Sequence, residues 1–563
     1  MTLAEVISAR VGPGGSEDDH FYQKANPRRS FGWTSLHVAH RHRAWLYPAM
    51  VPALVAFGVC QYMLALPNAL YGTSQYDDGV YVGAAMRLTH GVIPYKDFVV
   101  VHPPGIMILL APVALIGGVL GSNVSLALAR ELTALVAGAN VILTAAAVRH
   151  RGWKISLLAA TAIACFPMSP AADSTVFLEP YLVFFCLLGL VLLFSNGKIA
   201  PPRRCLLAGI ALGLAGTVKV WAAMIVGAAA IVCLRRAKTG LAPLLAGTVI
   251  GFATACLPFF IAAPHAFVRD ILGDQFSRAV SGGTPVGFVT RLSNLTGLSG
   301  MTLFHPSTTE VIAVAVCFVA IVAGAALRRR RCFAPVDYAI LGAAFASSLT
   351  LCLPHEMYAH YVYFSAPFLA LLLAVSLSEI TKWISERRDT WVLRRSAVTV
   401  ATCIVAAIFL IPQQAGYARS HLAAAKDPTF LNLFVPPNAC IVTDDVGLLV
   451  SANLFDPARH GCPGMTDAFG TWLADGPAQE PAYSGTGRFG STVEGPFSEH
   501  FTNEWTKWLS QADYVVTMAQ YSGYIPWNPA LAAWFNANFQ PKYRQPHLWI
   551  YQRIQRTPGP VER

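Results

Sequence analysis

Tyr76-Asp77-Asp78-Gly79-Val80-Tyr81 stands a few residues after the apolar run 45–67, and it is followed by Pro94-Tyr95-Lys96-Asp97-Phe98 and then His102-Pro103-Pro104-Gly105. The apolar run is long enough for a helix to cross a bilayer. Three carboxylates and a histidine therefore occupy the first loop beyond a membrane span. An acidic pair at that depth needs either solvent or a chemical task.

Working outward, the whole chain shares the character of that first run. Its 563 residues are 55% hydrophobic and only 13% charged, with a mean hydropathy of +0.48. Soluble chains carry roughly 25% charged residues. The formal charge of +11 would suit a nucleic-acid binder, but the cations sit in short clusters between apolar runs, as cytoplasmic loop anchors do. No nucleic-acid partner is expected; the lipid bilayer is. The first 44 residues are polar and basic and read as a cytoplasmic tail, without a cleavable signal peptide.

Sidedness follows from six basic clusters: Arg41-His42-Arg43, Arg149 to Lys154, Lys198 to Arg204, Arg235 to Lys238, Arg328 to Arg331, and Lys382 to Arg395. Placing all six in the cytoplasm yields about eleven crossings, near 45–67, 126–148, 155–169, 181–195, 205–219, 221–234, 242–262, 311–327, 336–353, 361–378 and 396–412. The run Pro104–Gly121 is nearly long enough to cross, but crossing would put Arg149 to Lys154 outside. It is expected to be a juxtamembrane or half-inserted helix of the first outer loop, 68–125. Segments 205–219 and 221–234 are short and are expected to form a tilted or broken pair meeting near Lys219.

The fold expected is thus a polytopic α-helical membrane protein with outer-face juxtamembrane helices, its membrane domain spanning 45–412. Beyond Pro412 no further span appears. Residues 413–563 alternate β-like runs (440–443, 513–517, 547–551) with helix-like stretches (498–511, 529–538), the pattern of a small α/β domain. It is expected to be exported, and Cys440 and Cys462 could then form a disulfide.

Several polar residues invite a role. Asp77, Tyr81 and Ala85 share one helical face, where a carboxylate can accept a proton from an attacking hydroxyl; a helix N-cap is the competing reading. His102, alone or with Arg130 or Lys219, can hold a phosphate at the lipid boundary, or be an interfacial histidine without a ligand. Lys219 has no opposite charge nearby in sequence, so it binds an anion or snorkels to the surface. Glu179, at the mouth of a span, is a candidate second acid. His355, Glu356, His360 and Tyr361 form another polar cluster; a divalent metal there is a minor reading, because the spacing matches no ligand motif.

In order, these elements resemble the polyprenyl-phosphate-sugar-dependent glycosyltransferases of the GT-C fold, nearest the protein O-mannosyltransferase and lipid A aminoarabinose transferase group. The carriers are Asp77-Asp78 with Tyr81 and Ala85, then Gly91 to Phe98, His102 to Gly105, Gly121 and Arg130, Gly213 to Lys219, and Tyr361 to Leu371. The likeness spans about residues 45–380, and the order of the motifs is its specific part. It implies a polyprenyl-phosphate sugar donor, a glycan, glycolipid or protein acceptor, and inverting transfer on the outer face. Asp77 would be the base and Asp78 and Glu179 further acids. His102, Lys219 and Arg130 would contact the donor phosphate, and Tyr81, Asp97, His355, His360 and Tyr361 the substrates. Two departures are Asp78, where the family has Glu, and His102, where the aminoarabinose branch has Lys. The location implied is multi-pass in a bacterial plasma membrane, in cell-envelope glycan biosynthesis. The competing class is a lipid or glycolipid transporter or flippase, against which stand the absence of a repeat between halves and the gathering of acids at one face.

Overall fold

The computed structural model describes residues 44–73, 75–273, 285–328, 333–385, 392–422, 427–458, 462, 465–475, 498–520, 522–545 and 548–554. The expected tail before Ala44 and the cations Arg329–Arg331 lie outside these. The first apolar run forms α1 (Leu46–Leu64), and the acidic stretch opens α2 (Tyr76–Thr89). Then follow α3 (Gly105–Leu120), α4 (Ser122–Ala147), α5 (Trp153–Ala164), α6 (Leu178–Leu193), α7 (Pro202–Val218), α8 (Ala222–Arg236), α9 (Leu241–Ala262), α10 (Thr308–Arg328), α11 (Pro335–Cys352), α12 (Ala366–Ser385) and α13 (Val392–Leu422). Each expected crossing coincides with a helix. Among the described residues, six helices are long and apolar enough to cross a membrane, while α5 to α8 are shorter, at 12 to 17 residues.

α3 does not traverse the bundle. A Cβ on Gly105, at its start, would meet Thr217 at the end of α7, and one on Gly117 would meet Ser125 in the first turn of α4. Both ends of α3 therefore lie at one end of the bundle. Gly121, φ +119°, makes the tight reversal into α4; an L side chain is strained there.

Helices α7 and α9 press together along Gly209, Gly213, Gly247 and Gly251. A Cβ on any of the four would come within 2.1 to 2.3 Å of a backbone oxygen of the facing helix. Small residues four apart let backbones approach this closely. At the opposite end from α2, Arg151 binds Asp337 at 2.6 Å and Glu379 at 2.5 Å, tying the α4–α5 turn to α11 and α12. His150 and Ala334 crowd Gly197, and Arg236 covers the Tyr338 ring. The basic clusters around Arg149, Arg204 and Arg236 thus share one end of the bundle.

Beyond α13 the chain builds a four-stranded sheet from β1 (Ile441–Thr443), β2 (Tyr514–Thr517), β3 (Phe539–Gln545) and β4 (Leu548–Arg553), in the order β1-β2-β4-β3. β1 and β2 run parallel and the remaining pairs antiparallel. Helices α14 (Val446–Ser451), α15 (Ala468–Asp475), α16 (Glu499–Gln511) and α17 (Pro529–Asn538) accompany it. An aromatic core of Trp505, Phe501, Phe535 and Trp527 packs on one face. Cys440 and Cys462 form a disulfide.

Candidate active site

The site is assembled from α2, the segment leading into α6, the break between α7 and α8, and the 3-10 turn Ala359–Phe364 that leads into α12. Asp77 and Asp78 fall in the first turn of α2, where the N-cap is Gln75. Neither is the N-cap, and both complement the positive end of the helix dipole. Their environments differ: Asp77 is partly exposed, while Asp78 is buried.

Asp78 pairs with Arg130 of α4 and accepts the Val176 N–H at 2.5 Å. Arg130, 0% exposed, also donates to the carbonyls of Ala69, Leu70 and Gly72 at 2.8 to 2.9 Å. The guanidinium is enclosed by its own protein partners, away from any surface a phosphate would reach. Together Asp78 and Arg130 brace the 69–72 turn, α2 and the 173–179 segment.

That segment delivers Glu179. Thr175 donates to Ala171, and Asn140 of α4 donates to the Pro180 carbonyl at 2.9 Å, fixing the entry into α6. The Glu179 carboxylate meets the Lys219 ammonium at 2.6 Å, the two side chains 1% and 4% exposed. Lys219 is extended (φ −152°, ψ 132°) and closes α7, so the expected helix break falls on the lysine. Its Nζ lies 3.6 Å from the Trp221 ring centre and 4.0 Å from that of Tyr361. The cation therefore has a carboxylate and two aromatic faces, and it is buried rather than snorkelling.

Tyr81, on the buried side of α2, links these parts. Burial, and then the charges of Asp77 and Glu179 together with Tyr361 and Asp467, push its phenol well above the ordinary value. The hydroxyl is thus neutral and available as a donor. His102 lies edge-on to Tyr81 at 5.9 Å between ring centres, held through its carbonyl by the Tyr95 hydroxyl.

Of the expected residues, the structure draws together Asp77, Tyr81, His102, Glu179, Lys219, Tyr361 and His360, the last stacked on Phe177 at 3.9 Å. It sets Asp97 apart: that side chain is exposed and accepts the Ile93 N–H at 2.7 Å, closing its own turn. His355 is exposed, with its carbonyl held by Arg291. Among the described residues no group of three His, Cys, Asp or Glu could hold a metal ion. Sequence reasoning missed Trp221, adjacent to Lys219 and visible as an aromatic beside an intramembrane cation. It also missed Asp467, whose nearness to Tyr81 no local pattern encodes.

The bundle, the broken α7–α8 pair and the short helices at its acidic end form a GT-C-like membrane fold. Residues 100–354 match Glycosyltransferase family 87; the matched region holds His102, Arg130, Glu179 and Lys219 and begins after Asp77. ArnT from Cupriavidus metallidurans, solved bound to undecaprenyl phosphate, is similar with a TM-score of 0.52 at 15% identity, over 93% of this chain and 99% of that one. The archaeal oligosaccharyltransferase AglB from Archaeoglobus fulgidus, solved with an inhibitory peptide and a dolichol-phosphate, is similar with a TM-score of 0.50 at 12% identity, over 86% of this chain and 70% of that one. No curated protein matches the chain by sequence.

Proposed function

We propose that the protein transfers a sugar from a polyprenyl-phosphate donor to an acceptor hydroxyl, with inversion at the anomeric carbon, on the extracytoplasmic side of the membrane. The observation that carries this reading is the convergence of a partly exposed carboxylate, Asp77, with a buried ammonium, Lys219, through Tyr81 and Glu179 at one end of the bundle. The two solved relatives hold undecaprenyl phosphate and dolichol-phosphate, which supports a lipid-phosphate donor.

In this scheme the acceptor oxygen bonds to the anomeric carbon as the bond from that carbon to the phosphate oxygen breaks. Asp77 takes the hydroxyl proton. The departing lipid phosphate gains negative charge, which the Lys219 ammonium stabilises in a water-poor site. Trp221 and Tyr361 fix that ammonium, and Glu179 keeps it charged inside the protein. The outward side follows from the basic end of the bundle lying in the cytoplasm.

Purified full-length protein, offered a panel of synthetic polyprenyl-phosphate sugars, is expected to turn over or slowly hydrolyse one of them. Asp77→Asn abolishes that activity while the fold persists. Saturable donor binding without turnover, unchanged in Asp77→Asn, would overturn catalysis and favour a lipid carrier.

A further inference from the structure

The C-terminal α/β portion touches the candidate site at the helix that carries Asp77. Tyr76, the residue before it, donates its hydroxyl to Asp467 Oδ1 at 2.9 Å and accepts the Phe469 N–H at 2.9 Å. Asp467 also caps α15, accepting the Gly470 N–H at 2.7 Å, and is only 4% exposed. Two residues past Asp77, Gly79 lies against Gly447 of α14, so closely that a Cβ would come within 2.2 Å of the Gly447 Cα. Thr73, just before α2, donates to the Gly447 carbonyl at 3.0 Å and shares a hydrogen bond with Ser451 at 2.7 Å. At the far end of α2, Arg87 donates to Thr466 at 2.7 Å.

These contacts bracket Asp77 on both sides of its turn. A helix is free to rotate about its axis and slide along it unless features off the axis register it. Here the Tyr76 hydroxyl is pinned in two hydrogen bonds, and backbone-to-backbone contact at Gly79 removes the slack. A 1 Å misplacement of a reacting group is enough to cost about 100-fold in rate.

We infer that the C-terminal portion is a working part of the active site: its Asp467–Tyr76 hydrogen bond, backed by the Gly79–Gly447 contact, registers the helix that presents Asp77. Tyr76 and Asp467 are positioning residues. The inference rests on Asp77 being the base, so its test carries one readout that does not depend on turnover.

Full-length Tyr76→Phe and Asp467→Ala are compared with wild type for turnover of the polyprenyl-phosphate sugar, donor KM, thermal midpoint and amide hydrogen exchange over residues 76–89. Expected are a fall in kcat of at least about tenfold, a donor KM within about twofold and faster exchange over 76–80. The thermal midpoint stays close to wild type, and Asp467→Glu recovers part of kcat. Gly79→Ala, which pries the surfaces apart while keeping both polar partners, lowers kcat in the same way. Wild-type kcat and unchanged exchange in both polar variants would overturn the registering role. Faster exchange over 76–80, in a protein whose Asp77→Asn variant retains turnover, would uphold the latch while removing Asp77 as the base.

Discussion

Adjacent aspartates in one helical turn have opposite fates because each faces different neighbours. Asp78 points inward to Arg130 and the Val176 amide, whereas Asp77 stays partly exposed beside Tyr81. Asp77→Asn is therefore expected to lower sugar transfer by about 100-fold or more with little change in thermal midpoint. Asp78→Asn is expected to unfold the protein more readily, because it leaves Arg130 buried without its carboxylate. The Glu179–Lys219 pair separates stability from chemistry in another way. Lys219→Met should destabilise by roughly 3–5 kcal/mol, since it strands the buried Glu179; adding Glu179→Gln should restore the thermal midpoint but not turnover. Asp173 makes a pH prediction. Burial pushes its carboxyl well above the ordinary 3.8, against a smaller opposing hydrogen bond from Tyr363. A raised folded-state value means the native protein holds a proton that the unfolded chain has lost, so this residue costs stability increasingly as pH rises above 3.8 toward the folded-state value. Asp173→Asn should flatten that decline in a thermal-midpoint series over pH. At this scale the sequence showed which residues were unusual but not which were already satisfied. Asp78 and Arg130 are 52 positions apart, and nothing local distinguishes a bracing pair from a reacting one.

Among the elements, the broken α7–α8 pair was legible because its two runs are short and Lys219 interrupts them. The juxtamembrane nature of α3 was legible from the parity that the basic clusters impose. Hidden was the seam that aims Lys219: Gly209 and Gly213 against Gly247 and Gly251, glycines ordinary in composition until the facing backbone is seen. Gly213→Ala, whose Cβ would lie 2.3 Å from the Thr248 carbonyl oxygen, is expected to part the helices, cost about 1–3 kcal/mol and reduce turnover by shifting the lysine. Gly227→Ala on α8, with nothing within 4 Å of its added Cβ, should leave both thermal midpoint and turnover near wild type. Strand β3 was also missed: its charged, proline-containing sequence Phe539–Gln545 is largely exposed, and it is held by backbone pairing with β4 and by the cation–ring contacts Arg544–Trp549 and Arg553–Phe539. Backbone pairing leaves little hydrophobic signal to read.

Across the whole molecule, the membrane bundle and the C-terminal portion meet through contacts hundreds of residues apart, from Thr73–Gly447 to Tyr76–Asp467. No reading of local pattern could supply them. The Cys440–Cys462 disulfide closes the segment between β1 and the residues just before Asp467, so loosening it should be felt at α2. Paired replacement by serine is expected to cost the C-terminal portion about 3 kcal/mol, seen as earlier proteolytic cleavage after residue 440, with a parallel loss of turnover. The buried lysine has a last consequence, for biogenesis. Glu179 leaves the ribosome 40 residues before Lys219, and the two-residue hairpin at 194–199 holds α6 and α7 side by side. The acid is thus already in place when the cation arrives, and the two helices can enter the bilayer with the Lys219 charge already balanced by Glu179. Glu179→Gln would send an unaccompanied ammonium into hydrocarbon, and nascent chains carrying it should show mixed orientation of the 235–238 loop when cysteines introduced there are labelled from either side of the membrane.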